Sequence, residues 1–191
     1  PGGALYLFTR WDVYPLWQPA VPDTLETKNL IVWEKDNWSA GDLSGNFGNQ
    51  YELIMFITKG RHKLRGHRWS NIWEFPRIPA KRLRMPAEKP VGLVQRAIES
   101  SSDPGGLVVD PFCGSGTTGE AAQNAGRDVV LGDIDPLMVK MSCDRLNVPY
   151  TGTEIEPISI PDCPVFQIQP PAPHLWGLHP EDLAYALEKT C

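Results

Sequence analysis

Apolar positions fall in short runs bounded by turn residues and, farther along, at helical spacing, and together they lay out the elements of this chain. Pro1-Gly2-Gly3 is a turn signal feeding the strand-like run Ala4-Leu5-Tyr6-Leu7-Phe8-Thr9. Residues 11–28 leave room for a short helix around Leu16-Trp17, interrupted by Pro15, Pro19 and Pro22. Leu30-Ile31-Val32-Trp33 and the run YELIMFIT at 51–58 read as second and third strands, and Gly41, Gly45 and Gly48 between them predict an antiparallel hairpin. Further on, Val91, Val94, Ala97 and Ile98 recur at helical spacing. Gly105-Gly106 then opens Leu107-Val108-Val109, which reads as a buried strand. A helix over 117–125 ended by Gly126, a strand over 129–131 and a helix over 138–146 follow, the last with Met138, Met141 and Leu146 on one face. Strand, helix, strand, helix is the pattern of a parallel α/β domain.

Composition narrows the class without choosing a function. The chain has 191 residues, 41% hydrophobic and 21% charged, which suits one globular core and excludes wholesale disorder or a collagen-like chain. No apolar run approaches the roughly 20 residues of a membrane span. Cys113, Cys143, Cys163 and Cys191 form no C-x-x-C pair, so reduced thiols in a cytoplasm and no metal site are expected. Net charge is −5, which by itself argues against a nucleic-acid binder. The average hides an asymmetry. Lys59 to Arg84 holds nine Lys/Arg and the single acid Glu74, a segment of +8 in a body of −13.

The candidate chemistry starts at the strand end Leu107 to Asp110. There Gly114-x-Gly116-x-x-Gly119 leads into a helix, and Asp133 closes the next strand 19 residues beyond the first glycine. Such glycines let backbone approach a ligand at a helix N-terminus, and a carboxylate at Asp133 suits ribose hydroxyls. An adenosine-containing cofactor is expected. Asp110 would repel the pyrophosphate of NAD or FAD, whereas S-adenosylmethionine carries an ammonium and a sulfonium that an acid attracts. The glycine loop alone also suits a nicotinamide dehydrogenase.

Several separated segments resemble a DNA amino-methyltransferase of the type that methylates adenine N6 or cytosine N4. Asp110-Pro111-Phe112-Cys113-Gly114-Ser115-Gly116-Thr117-Thr118 is similar to that family's D-P-F-x-G-S-G-T-T cofactor loop, and Gly132-Asp133-Ile134-Asp135-Pro136 to its ribose-binding strand end. Pro86-Ala87-Glu88-Lys89-Pro90 resembles its H-P-x-x-K-P segment, with Met85 where the family carries His. Asn29 to Lys35 (NLIVWEK) and Tyr51-Glu52 resemble its n-x-i-x-W-x-K and Y-E hairpin motifs.

The resemblance implies a Rossmann-like α/β methyltransferase fold over residues 1–150, its sheet mixed and mainly parallel with an antiparallel hairpin. It also implies S-adenosylmethionine held by Asp110, Pro111, Phe112, Gly114, Gly116, Thr117, Thr118 and Asp133, with Lys89 and Pro90 positioning the neighbouring segment. Trp33 and Tyr51 read as hairpin core.

The motif order is the permuted β class, in which the catalytic D-P-P-Y or N-P-P-Y tetrapeptide lies upstream of a P-G-G strand like residues 1–9. The chain is therefore expected to be the C-terminal portion of a longer enzyme or one half of a split one, without catalytic residues of its own. Loss of that central strand would split the sheet and leave two edges unpaired. Asp110-Pro111-Phe112 is a decoy for the tetrapeptide, and Asn147-Val148-Pro149-Tyr150 reads as a helix-ending turn with a packed tyrosine.

The basic residues Arg61, Lys63, Arg65, Arg68, Arg77, Lys81, Arg82 and Arg84 alternate with His62, His67, Trp69, Trp73 and Phe75. They fall where the resemblance implies a target-recognition region, so contacts to double-stranded DNA are expected. A chain that binds DNA and cofactor without transferring anything is a further reading. Residues 151–191 read as a Pro-rich extension, with the start and spacing of a terminal helix over 180–189.

Overall fold

The structure is a computed structural model that describes residues 2–38 and 44–150. In chain order the elements are β1 (Gly3–Thr9), a single helical turn α1 (Tyr14–Trp17), β2 (Glu26–Glu34), β3 (Tyr51–Lys59), β4 (Ile72–Glu74) and α2 (Val91–Ser101). They continue as β5 (Leu107–Asp110), α3 (Thr117–Asn124), β6 (Asp128–Leu131) and α4 (Pro136–Leu146). The extension's expected terminal helix lies outside the described residues. No helix among the described residues is long and apolar enough to cross a membrane.

The strands form two sheets. One has the order β1-β3-β2-β4, with β3 antiparallel to β1 and β2 and β4 parallel to β2; the other is the parallel pair β5-β6. The expected hairpin is present, with Leu53 opposite Val32 and Met55 opposite Leu30. Strand β4 has no signal in the sequence, because three residues inside a charged segment carry too little pattern to register. Trp73 makes it a strand: its ring is buried beside Trp33, and its Nε1 donates to the Ser70 carbonyl at 2.9 Å.

Helix α2 joins the two sheets. Leu93 and Ala97 enter the core of the larger sheet with Ile31, Trp33, Ile54 and Phe56, while Val94 and Ile98 pack with Ala121 and Ala122 of α3. Two adjacent i,i+4 stripes thus serve two cores, a wider apolar face than the sequence spacing implied. Phe8 of β1 and Val108 of β5 both rest on the second cluster. Among the described residues, the outer edge of β1 and the outer edge of β5 have no strand partner. The expected split in the sheet is therefore present.

One expectation is corrected here. Leu107 and Val109 are 63% and 61% exposed, so β5 is covered on one face only. The apolar run satisfies the composition of a two-faced parallel strand, but among the described residues only the α2–α3 side has partners.

Strand directions give the molecule two ends. β1, β2 and β4 run the same way, and α2 starts at their carboxyl ends, where Lys89 reaches Glu52 at the start of β3. It finishes at the opposite edge, where Ser101 Oγ meets Tyr6 Oη at 2.7 Å and His62 Nε2 at 3.1 Å. From there β5 runs back to the carboxyl edge, which carries the glycine loop.

Candidate functional site

The loop after β5 is built around two carboxylates. Asp110 accepts the Phe112 N–H at 3.0 Å and the Thr118 hydroxyl at 2.5 Å, fastening the strand end to the first turn of α3. Asp133, at the end of β6, accepts the Gly114 N–H at 2.9 Å and the Asp135 N–H at 3.1 Å. Asp135 in turn caps α4 through the Leu137 N–H at 2.8 Å. The two strand ends and the turn are thus fixed by hydrogen bonds to side-chain carboxyl oxygens.

The glycines answer to protein packing rather than to an incoming ligand. Gly114 and Gly116 have φ of +51° and +82°, which L side chains rarely adopt. A Cβ on Gly116 would lie 2.9 Å from Cα of Ser142 in α4, and one on Gly114 would lie 2.7 Å from the Met85 sulfur. Gly119 leaves room for Leu146 and Leu131, whose methyls would be 2.6 and 2.8 Å away. Met85 is also a hydrogen-bond partner: its sulfur accepts the Ser115 N–H at 3.1 Å, so the residue standing in place of His still closes over the turn.

Charge and exposure define what the loop could hold. Phe112 and Ile134 are 84% and 98% exposed, two apolar side chains flanking the carboxylates at an open edge. Sequence reasoning passed over Ile134; its signal was an apolar residue set between Asp133 and Asp135 at a strand end. Burial pushes the Cys113 thiol above its usual range, and Asp133 and Asp110 push it further against the opposing Ser142 hydrogen bond. The loop is therefore a negative field beside open apolar surface, suited to a ligand with cationic and flat aromatic parts. The hydroxyls of Thr117 and Thr118 are already engaged, by Arg145 at 3.0 Å and by Asp110, while Pro111 and Phe112 stand open.

Arg145 of α4 is the densest node of the site and has no counterpart in the motif reading. Its side chain is 5% exposed and donates to Glu88 at 2.7 Å and to Glu120 at 2.5 Å, with Ser115 and Thr117 completing its fork. Glu88 also accepts the Arg84 N–H at 2.7 Å. One guanidinium therefore ties α4, α3, the 84–88 segment and the glycine loop together.

Pro90 stands at the N-terminus of α2, and Lys89 before it turns to the hairpin. Lys89 pairs with Glu52 at 3.1 Å, and Lys35 holds the other oxygen of Glu52 at 2.7 Å. The Lys35 ammonium lies 4.9 Å from the Trp33 ring centre, and Lys89 lies 5.8 Å from that of Phe8. Burial raises the Glu52 carboxyl, but Lys89 and then Lys35 more than offset it, leaving the group below its ordinary range. The hairpin and lysine motifs thus converge on one carboxylate at the carboxyl edge. Trp33 is core as expected, with Nε1 on the Phe75 carbonyl at 2.8 Å. Tyr51 is not: it opens β3 at the strand's exposed end.

The basic segment is not one surface. Arg77, Lys81, Arg82 and Arg84 follow β4 at the carboxyl edge, where Arg77, Arg82 and Arg84 line a cleft of about 680 Å³ with Glu88 and Arg145. Arg61, Lys63, Arg65 and Arg68 follow β3 at the amino edge. There the Arg61 carbonyl abuts Gly2 and Arg65 pairs with Asp103 at 3.2 Å. Asn147 ends α4 with φ +55°, as a turn should, but Tyr150 is exposed rather than packed.

Comparison with known proteins places this geometry. The family described as DNA methylase matches residues 1–157. DNA adenine methyltransferase YhdJ of Escherichia coli is 28% identical over 192 residues, covering 80% of this chain and 64% of that protein. Type II methyltransferase M.HpaI of Haemophilus parainfluenzae is 32% identical over 106 residues, covering 54% of this chain and 34% of that protein. The chain thus spans less than two thirds of the length of either relative. Among solved structures, the M1.HpyAVI–SAM complex superposes with a TM-score of 0.64 at 20% identity, each chain covered to 75%. PvuII DNA methyltransferase (cytosine-N4-specific) superposes with 0.62 at 15% identity, covering 81% of this chain and 65% of that one. These likenesses show a shared Rossmann-like α/β methyltransferase fold.

Proposed function

The chain belongs to the DNA methylase family, and from that membership we propose that it is the cofactor-holding and DNA-contacting portion of an S-adenosylmethionine-dependent enzyme. The enzyme transfers a methyl group to the exocyclic amino nitrogen of adenine (N6) or cytosine (N4) in double-stranded DNA, and works in the cytoplasm. The observation that carries this is the open turn that Asp110 and Asp133 hold through the Phe112 and Gly114 N–H groups, with Phe112 and Ile134 exposed beside them. S-adenosylmethionine supplies an electrophilic methyl on a sulfonium. Asp133 accepts hydrogen bonds from ribose hydroxyls on its remaining lone pairs, and Phe112 and Ile134 cover an adenine ring. Asp110, held by Thr118, sets a negative charge near the cationic methionine part. A nicotinamide dinucleotide would bring its pyrophosphate against the same two carboxylates.

Arg77, Lys81, Arg82 and Arg84 stand at the same edge and suit the phosphates of a duplex whose target base is turned out toward the cofactor. The unpaired edges of β1 and β5, both resting on the α2–α3 cluster, support a strand inserted between them from outside residues 1–150. That strand brings the catalytic tetrapeptide, either from an N-terminal segment or from a complementary chain.

Calorimetric titration tests the cofactor assignment: S-adenosylmethionine binds saturably and NAD does not, and the reverse order overturns it. Methyl transfer to DNA tests the rest. The chain alone is inactive, and activity appears when a segment carrying the missing strand is supplied; robust transfer by the chain alone would show that no such strand is required.

A further inference from the structure

The amino edge carries a second cleft, remote from the glycine loop and unused by the transfer chemistry. It holds about 460 Å³ between β1, β2 and the 64–71 segment, ample for one nucleotide. Tyr6, Ile31, Phe56 and Trp73 give it an apolar lining. At its mouth Trp69 is 48% exposed, with Arg96 stacked 4.3 Å from its ring centre and His67 edge-on at 4.4 Å. An indole so braced, with much of its surface still open, is a platform for a planar ring.

The polar lining is incomplete. Ser100 is 6% exposed and lines the cleft. Asn71 donates Nδ2 to Asn29 Oδ1 at 3.3 Å and to the Leu30 carbonyl at 3.2 Å. That leaves Asn71 Oδ1 as an acceptor and Asn29 Nδ2 as a donor, both unengaged among the described residues. A neighbouring donor and acceptor match the hydrogen-bonding edge of a nucleobase. Charge completes the match. Arg68 lines the cleft without an ion pair among the described residues, and a bulge in β2 between Thr27 and Asn29 sets Lys28 at the rim, where it pairs with Glu26.

We propose that this cleft binds one unpaired nucleotide, its base stacked on Trp69 and read by Asn29 and Asn71, its phosphate on Arg68 and Lys28. The site is independent of the methyl-transfer reading, since neither the carboxylates of the glycine loop nor the carboxyl-edge arginines take part. The nucleotide can be a free deoxynucleoside monophosphate or one residue of a single strand, and two probes separate these sources.

The full chain is titrated calorimetrically with deoxyadenosine and deoxycytidine monophosphates and, separately, with a short single-stranded oligonucleotide. Saturable binding of a mononucleotide identifies a free ligand, and binding of the oligonucleotide alone identifies a strand. In either case Trp69→Ala weakens binding about tenfold or more, as loss of one base stack predicts. Arg68→Glu does the same, as loss of the phosphate's cationic partner predicts. Trp69 and Arg68 are exposed, so thermal melts of these variants should match the parent and exclude misfolding. Failure of both probes to bind saturably, or affinity indifferent to Trp69→Ala and Arg68→Glu, overturns the proposal. Cofactor titrations are read separately, so that outcome leaves the transfer reading untouched.

Discussion

Replacing Arg145 by alanine tests the node that holds the glycine loop. The arginine and Glu88 side chains are 5% and 3% exposed, so solvent screens their interaction little. Removal of the guanidinium leaves the Glu88 carboxylate buried without its partner at 2.7 Å, and strips Glu120, Ser115 and Thr117 of a donor. Breaking a buried pair in this way costs about 3–5 kcal/mol, a large part of the roughly 5–15 kcal/mol by which domains are stable. For a domain of this size that corresponds to a fall in Tm of roughly 6–20 °C. Urea and thermal melts of Arg145→Ala measure it. The double variant Arg145→Met with Glu88→Gln removes both charges while keeping an acceptor for the Arg84 N–H, and should recover at least half of the loss. Folded Arg145→Ala should also bind S-adenosylmethionine more weakly, because Ser115 and Thr117 are no longer held. A single variant within about 1 kcal/mol of the parent, or a double variant no better than the single, would refute the reasoning, since an uncompensated buried carboxylate must be costly.

Other outcomes follow from the same geometry. Gly116→Ala forces a Cβ into a left-handed φ and to 2.9 Å from Ser142 Cα, and should cost about 2–4 kcal/mol in urea melts; a neutral result would mean that α4 shifts freely. Glu52 is held below its ordinary range, because Lys89 and Lys35 outweigh the effect of burial, so it contributes stability above its unfolded value that is lost as pH falls through its folded one. Glu52→Gln should therefore destabilise by roughly 1–3 kcal/mol at neutral pH and lose that penalty in acid, as denaturant melts across pH will show. Charge reversal at Arg77 and Arg82 should weaken duplex binding and flatten its salt dependence by about one unit of log–log slope for each phosphate no longer neutralised; an unchanged slope assigns the duplex to another face. Asp133→Asn should weaken S-adenosylmethionine about tenfold or more by calorimetry, consistent with losing a charged acceptor.

Local order made much of this protein legible in its sequence. Apolar runs bounded by turn residues placed β1, β2 and β3, and three glycines between a strand and a helix placed the loop, because both depend on neighbours a few residues apart. The acids at the two strand ends were legible for the same reason: strand ends set where Asp110 and Asp133 emerge. The motif order also pointed to a sheet divided between β1 and β5, and the structure has that division.

Contacts between distant segments were not legible. Arg145 reads as an ordinary surface residue at the end of an amphipathic helix, and only folding brings Glu88, 57 positions away, to its guanidinium. Lys89 sits in a motif beside the cofactor segment, but the turn into α2 hands it to Glu52 across the hairpin. The basic segment looked like one surface, since sequence preserves adjacency and hides direction. β4 passes between its halves parallel to β2 and carries the chain from the amino edge to the carboxyl edge, so charges a few residues apart face different ends. The sequence by itself determined the apolar runs, the helical spacing, the turns and the identity of the strand-end groups, which local backbone sterics enforce. The tertiary structure alone decided which charges are buried together and which edge each arginine serves, because those depend on strand direction and helix packing across the whole chain.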